Sequence, residues 1–518
     1  MTTLIRGARV LTLDAADTEH AKADILIEDA MITAVGPDLS APGADIIDAV
    51  GLIAMPGLIN GHFHSQVSLM AGSVPSMPLE LFMLYEVPPL GDRPPDPRLV
   101  YLQTMLGAVE MLRNGVTAVH DDAFHNPWPT RPAIDAVMSA YRDSGLPATV
   151  AINHQNRPEL DKLPFLSEIL PPDIRAEVEA SRIAPLDELT GLYRWFHETW
   201  HGAAHGRLRI AVSNSAPQRV TEDYFAFLSE FSRRHDLPFN IHILETKTQR
   251  VLGNERFGKS LVRLVDDLGF LDERMLVIHA IWVNDADMDL LAAVGCTVAH
   301  NPICNLRLGS GIMPFRALRD RGIAIAIGTD ERAADDTVNS WAALKQAGLV
   351  HQIAETDYRL WPTPLELLHA ATSAGARGMR IGNLGRIAPG CLADIILIDP
   401  DSLPFTPLND LRRQLVYAHN GSAVVMTMVA GRVAMRDGRV PCVDERALRA
   451  ELRARQPEID AAIAATARQA ARLEPYWRTM YRRAAATDVG FTRWVGTGDE
   501  TAVGQRQHDA GGDRPRGG

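Results

Sequence analysis

The chain has 518 residues, 46% hydrophobic and 22% charged, a balance that excludes disorder over most of its length. That length allows one large barrel domain with a smaller one, or two to three separate domains. A formal net charge of −12, with no run of Lys or Arg, excludes a sequence-independent nucleic-acid binder and favours a small-molecule partner.

Residues 1–57 alternate short β-rich runs with turns, from Ile5–Leu13 through Met31–Val35 to Ile46–Asp48, and predict a small antiparallel sheet. The N-terminus lacks the apolar core and small-residue cleavage site of an export signal, and no stretch supplies about 18 uninterrupted apolar residues. The expectation is a cytoplasmic protein without a membrane span. Four cysteines, Cys296, Cys304, Cys391 and Cys442, form no C-x-x-C pair, which fits a reducing compartment and excludes a thiolate metal site.

From there the pattern becomes apolar runs alternating with helical stretches, the signature of βα units. Eight runs are counted: Ala54–Gly61, Gly115–His120, Pro147–Ile152, Leu208–Val212, Pro238–Ile241, Met275–Ile278, Gly295–Ala299 and Ile323–Ile327. They predict an α/β fold, a (β/α)8 barrel over residues 58–384, with its site at the C-terminal ends of the strands. The long stretches 65–97 and 155–186 fall on that same face, where loops carry substrate contacts. Short strands return in 385–442 and complete a small β-sandwich domain with 1–57. A helical extension is predicted over 443–496, as a candidate surface for homo-oligomerisation, and a disordered tail over 497–518.

The candidate ligands fall at strand ends. His62-Phe-His64 closes the first barrel strand, His242 the fifth, His279 the sixth and Asp330 the eighth. Alternate residues on a strand face one way, so His-x-His turns both imidazoles inward. Taken singly, His242 reads as a core histidine and Asp330 as a helix cap. Together at one rim they read as ligands of one divalent metal ion, Zn2+ in the first place and Fe2+ in the second, with a position open for water. His120, His125 and His154, near other strand ends, read as packing or supporting groups, and His351 and His369 as structural.

The motifs Met55-Pro-Gly-Leu-Ile-Asn-Gly-His-Phe-His, Asn240-Ile-His-Ile-Leu-Glu, Val277-Ile-His-Ala, His300-Asn-Pro-Ile-Cys-Asn-Leu-Arg-Leu-Gly-Ser-Gly, Gly328-Thr-Asp and Gly385-Arg-Ile-Ala-Pro-Gly-Cys-Leu-Ala-Asp resemble the amidohydrolase superfamily, in its cytosine-deaminase, chlorohydrolase and adenosine-homologue deaminase branch. The resemblance covers roughly residues 3–440. It implies that His62, His64, His242 and Asp330 hold the metal, that His279 hydrogen-bonds water or substrate, that Asp330 accepts a proton, and that Glu245 protonates a ring nitrogen. Relatives with two metals bridge them by a lysine closing the fourth strand. Here that strand ends Val212-Ser213-Asn214 and none of the five lysines closes a barrel strand, so one metal is expected.

The implied activity is hydrolytic deamination of an amino-substituted nitrogen heterocycle of purine, pyrimidine, pterin or triazine type, through metal-bound hydroxide with release of ammonia. The same attack serves chloride, an alkylamine or a ring amide as leaving group. A catalytically silent binding protein is a third reading, which the intact ligand set disfavours. For substrate contacts the expectation is Asn305, with Glu80, Phe82 and Met83 as part of an apolar lid that also includes Tyr85. The run Pro78-Leu-Glu-Leu-Phe-Met lacks the Trp of nucleoside-deaminating relatives.

Overall fold

The computed structural model describes residues 2–91 and 94–496, and the tail expected to be disordered, 497–518, lies outside them. Two sheets organise the chain. The first 56 residues supply β1 (Thr2–Leu11), β2 (Glu19–Glu28), β3 (Met31–Gly36), β4 (Asp45–Asp48) and β5 (Ile53–Pro56). The barrel strands follow: β6 (Leu58–His64), β7 (Val116–Phe124), β8 (Ala148–Asn153), β9 (Leu208–Ser213), β10 (Phe239–Ile243), β11 (Met275–His279), β12 (Thr297–His300), β13 (Ala324–Ile327) and the two-residue β14 (Asp330–Glu331). The chain then returns to the first sheet with β15 (Ile395–Ile398), β16 (Val424–Val429) and β17 (Arg432–Arg436).

The small sheet runs β17-β16-β15-β5-β1-β2-β3, with β4 also paired to β1. The two halves of the chain meet where β15 lies antiparallel to β5, Ile395 opposite Pro56 and Ile398 opposite Ile53. Ile25, Ile27, Ile395, Leu397 and Met428 belong to an apolar cluster of its own.

The barrel strands pair in parallel and in chain order, each apolar run buried between the lumen and the outer helices. The ring is closed by β14 on β6, with Asp330 opposite Phe63 and Glu331 opposite His64. This is a (β/α)8 barrel. Two details differ from the sequence reading. The run Ala54–Gly61 is not one strand but divides at Gly57 between the two sheets, where a Cβ would lie 2.1 Å from the Thr117 side chain, so only glycine lets the chain pass. Asp330 does not end the eighth strand; β13 stops at Ile327, and Asp330 sits on the separate closing strand.

Beyond the small sheet come two helices, Glu445–Ala454 and Gln456–Ala486. The longer one lies along the barrel mouth. Its Leu473, Trp477 and Met480 join Leu84, Leu166, Leu170 and Val178 in an apolar cluster. Burial of each such side chain is worth about 1.5–3 kcal/mol, whereas the exposed ion pairs Arg472–Glu177 and Arg483–Glu168 add about 0–1 kcal/mol each. The segment after it straps two site loops: Arg493 donates to the carbonyls of Ile281 and Val283, and Trp494 Nε1 to that of Gly309. No described helix is long and apolar enough to cross a membrane.

Candidate metal centre and substrate cavity

His62 and His64 stand two apart on β6 and point into the lumen, where β10 brings His242 to meet them. One ring nitrogen from each of the three lies within 4.8 Å of the others. Asp330 Oδ1 is 3.5 Å from Nε2 of both His62 and His64. The approach of β13 is set by Gly328, where a Cβ would fall 2.9 Å from His62 Cβ.

The imidazoles are oriented as ligands require. His64 Nδ1 donates to the carbonyl of Asp122 at 2.6 Å and His242 Nδ1 to that of Ser215 at 2.8 Å, which leaves each Nε2 with its lone pair free. Neither ring nitrogen of the fully buried His62 has a hydrogen-bond partner among the described residues, Asp330 facing Nε2 from 3.5 Å. Three buried imidazoles converging on a carboxylate, one of them with no hydrogen bond, are an expensive arrangement without a cation and a favourable one with it. Burial would raise Asp330, but His62, His279 and His64 outweigh it and hold the carboxyl well below its ordinary range. The donor set fits a divalent metal. Among the described residues no other group of three His, Cys, Asp or Glu side chains has this geometry.

His279 and Glu245 flank the cluster. His279 Nε2 is 3.5 Å from Glu245 Oε2 and 3.7 Å from Asp330 Oδ2, and its Nδ1 faces Asn305 Oδ1 at 2.9 Å. That last contact makes Nδ1–H the donor and turns the Nε2 lone pair towards the two carboxyls. Burial pushes His279 down to about 4, so the ring is neutral. Burial also pushes Glu245 well above its ordinary value; the charges of Asp330, Glu80 and Glu86 add to the rise, and Arg219 opposes it. A cation held by the histidines would oppose it too. His279 and Asp330 adopt positive φ, 73° and 59°, and Ser215 62°, so non-glycine residues occupy left-handed backbone at the strand ends that form the site.

A cavity opens above these groups. Glu80 and Met83 line it, as do His64, His242, Glu245, His279 and Asp330. Phe82 and Asn305 do not. Phe82 is fully buried against Val67, Val74 and Cys304, and Asn305 Oδ1 accepts from His279 while its buried Nδ2 has no hydrogen-bond partner among the described residues. Tyr85 donates to Glu474 at 3.1 Å. His125 and His154 line the cavity, while His120 is buried beside His62 and burial pushes it down to about 3. His351 Nε2 meets His300 Nε2 at 3.1 Å, and His369 Nε2 meets Asp17 at 2.6 Å, both away from the cluster.

Among the lining residues that sequence reasoning missed are Glu86, Glu331, Arg157, Arg219 and Trp477. Glu86 and Glu331 are buried against each other, and burial raises both. The adjacency of Glu331 to Asp330 was a usable signal. Trp477 gave none, since it enters the wall from the long helix near the chain's other end.

Comparison with known proteins agrees with this geometry. The model of the Amidohydrolase family matches residues 53–434. The chain is 30% identical to a 5'-deoxyadenosine deaminase of Methanosarcina mazei, over 85% of this chain and 94% of the relative. It is 31% identical to a 5-methylthioadenosine/S-adenosylhomocysteine deaminase of Thermococcus kodakarensis, over 84% and 94%. Among solved structures it resembles the zinc complex of an atrazine chlorohydrolase from Arthrobacter aurescens TC1, with a TM-score of 0.79 and 25% identity over 87% of this chain and 99% of that one. The fold is shared with a zinc-bound adenosine deaminase of Xanthomonas campestris, TM-score 0.78 and 24% identity over 89% and 98%.

Proposed function

Because the chain belongs to the Amidohydrolase family, we propose that it is a zinc-dependent aminohydrolase that replaces an exocyclic amino group of a nitrogen heterocycle by oxygen, an aminopurine of nucleoside type being the first candidate. The observation that carries this reading is the buried Glu245, 3.5 Å from His279 and facing the same cavity as the three-histidine cluster, with burial pushing its carboxyl well above the ordinary value.

His62, His64 and His242 would hold one zinc ion with Asp330 as the fourth protein ligand. Bound there, the ion makes a hydroxide equivalent available from water near neutral pH. Asp330, kept ionised, accepts the proton that the attacking water loses. Neutral His279, fixed by Asn305, presents Nε2 to the attacking oxygen and accepts its hydrogen bond. Glu245 gives its proton to the ring nitrogen beside the attacked carbon, so that the electrons displaced by C–O bond formation settle on a neutral nitrogen. The proton on Asp330 then passes to the amino group, the C–N bond breaks, ammonia leaves, and the hydroxyl proton returns to the Glu245 carboxylate as the ring carbonyl forms. One water is consumed and one ammonia formed per ring.

The likeness to the chlorohydrolase structure favours one second reading, in which chloride or an alkylamine leaves from the same attacked carbon. A panel of aminopurines, aminopyrimidines, pterins and aminotriazines, assayed for ammonia, with halogenated and N-alkylated triazines assayed for chloride and alkylamine, separates the two. Ammonia release that disappears in Glu245→Gln supports the deaminase; chloride release alone supports the second reading, and neither product from zinc-loaded protein overturns both.

A further inference from the structure

His279 and Glu245 owe their 3.5 Å approach to backbone that is held from outside the barrel. Leu244, His279 and Ala280 all adopt left-handed backbone, with φ of 52°, 73° and 47°. Side chains resist that conformation, so it persists only where neighbours fix it. Part of the fixing is mutual: the amides of Ile281 and Trp282 donate to the carbonyl of Leu244 at 3.1 and 2.8 Å, which ties the turn after His279 to the residue before Glu245.

The rest comes from near the end of the described chain. Arg493 donates from Nε to the carbonyl of Ile281 at 3.0 Å and from Nη2 to that of Val283 at 2.6 Å, two bonds from one planar fork. Its own carbonyl accepts from the amide of Ile312 at 2.9 Å. Trp494 Nε1 donates to the carbonyl of Gly309 at 2.8 Å and Trp282 Nε1 to that of Ser310 at 2.7 Å, while the Ser310 amide donates to the carbonyl of Asn305 at 2.9 Å. The indoles of Trp282 and Trp494 meet edge to face with centroids 5.1 Å apart. At Gly311, with φ 124°, a Cβ would stand 3.1 Å from Arg493 and from Ile281, so the three segments have no room to slide. Arg493 does not line the cavity, lies outside residues 53–434 of the family match, and its side-chain bonds end on no proposed metal ligand.

We infer that Arg493 is a positioning residue for the reaction, which clamps the turn of His279 against the helix of Asn305 and so sets the His279–Asn305 and His279–Glu245 approaches of 2.9 and 3.5 Å. The reaction it serves rests on the deaminase reading; the clamp does not. Without the fork the carbonyls of Ile281 and Val283 lose their donor, the left-handed turn relaxes, and the imidazole leaves the direction in which it meets the attacking oxygen. Misplacement of that kind costs rate and leaves binding nearly unchanged.

The test uses full-length, zinc-loaded protein and two variants: Arg493→Met, which keeps the apolar stem, and Arg493→Lys, which keeps the charge but not the fork. Hydrogen–deuterium exchange needs no substrate. It is expected to quicken in both variants over residues 280–284 and 309–312 and to stay unchanged over 62–64, with zinc still at one equivalent. On a substrate that the wild type turns over, Arg493→Met is expected to lower kcat about tenfold or more at a KM within about twofold, and Arg493→Lys to lower it less. Asn305→Ala completes a cycle. Because both changes release His279, combining it with Arg493→Met should cost less than the product of the separate losses, which a general loosening of the fold would not produce.

Exchange unaltered over those segments, a loss confined to KM, or a kcat loss that multiplies with that of Asn305→Ala overturns the inference, and the strap then serves stability alone. Should Arg493→Met not fold, Arg493→Lys carries the same readings. Quickened exchange in a protein that turns over nothing breaks the deaminase reading alone, and turnover with exchange and kcat unaltered in both variants breaks this inference alone.

Discussion

The floor of the cavity and its outer wall are built by different means. His62, His64, His242, Glu245, His279 and Asp330, at the floor, each come from a barrel strand or the residues just after one, are at most 6% exposed, and lie within the matched span 53–434. The outer wall comes from loops, from the helix Leu79–Glu86 and from Trp477, on a helix beyond that span, and the contacts behind it cross long chain separations, as when Tyr85 meets Glu474. On the proposed function, the difference assigns the reaction to the strand ends and the choice of what enters to the loops and the long helix of the extension. Changes at the floor should therefore alter metal content and kcat, and changes at the wall KM or stability.

The largest effect is expected from His62→Ala, which removes a proposed metal ligand: elemental analysis should show zinc lost from the purified protein, and activity should fall by more than any change to a proton-transfer residue. Zinc retained at one equivalent would break the floor assignment. Glu245→Gln should keep the metal and lower kcat by about 10²–10⁴-fold. The sign of its pH dependence follows from the raised Glu245: the acid must be protonated to act, so kcat/KM falls as pH rises through its value, and that alkaline limb should vanish in the variant.

At the wall, Phe82→Ala should cost about 3–5 kcal/mol of stability by thermal or urea unfolding, because Phe82 is packed core and not a lid. Trp477→Leu should raise KM about fivefold at unchanged kcat, through roughly 1 kcal/mol of lost contact; a kcat effect with KM unchanged would erase the distinction between floor and wall. The smallest change is Tyr85→Phe, about 1 kcal/mol of stability for its bond to Glu474.

The floor was legible in the sequence because strand periodicity and βα order alone decide where a strand-end side chain goes. His62, His64, His242 and His279 follow from that rule, and Glu245 from its place three residues after His242. Phe82 shows why the lid was less legible. On the helix Leu79–Glu86, positions 80, 83 and 84 share the face that meets the cavity, and 82 falls on the other. The run was read for composition without its helical phase. Asn305 is read from the sequence as a loop residue beside the metal, whereas it lies in the short helix Pro302–Arg307 and its oxygen faces His279 Nδ1. Arg157, Arg219 and Trp477 become neighbours only through tertiary packing, which no local pattern encodes.

The central claim is most directly tested by incubating zinc-loaded protein with an accepted heterocyclic amine in 18O-labelled water and analysing the product by mass spectrometry. The account predicts one solvent-derived oxygen in the ring carbonyl, one ammonia per product molecule, and loss of both on chelation with recovery on adding zinc. A product without solvent oxygen, or turnover that persists after complete removal of metal, would contradict it.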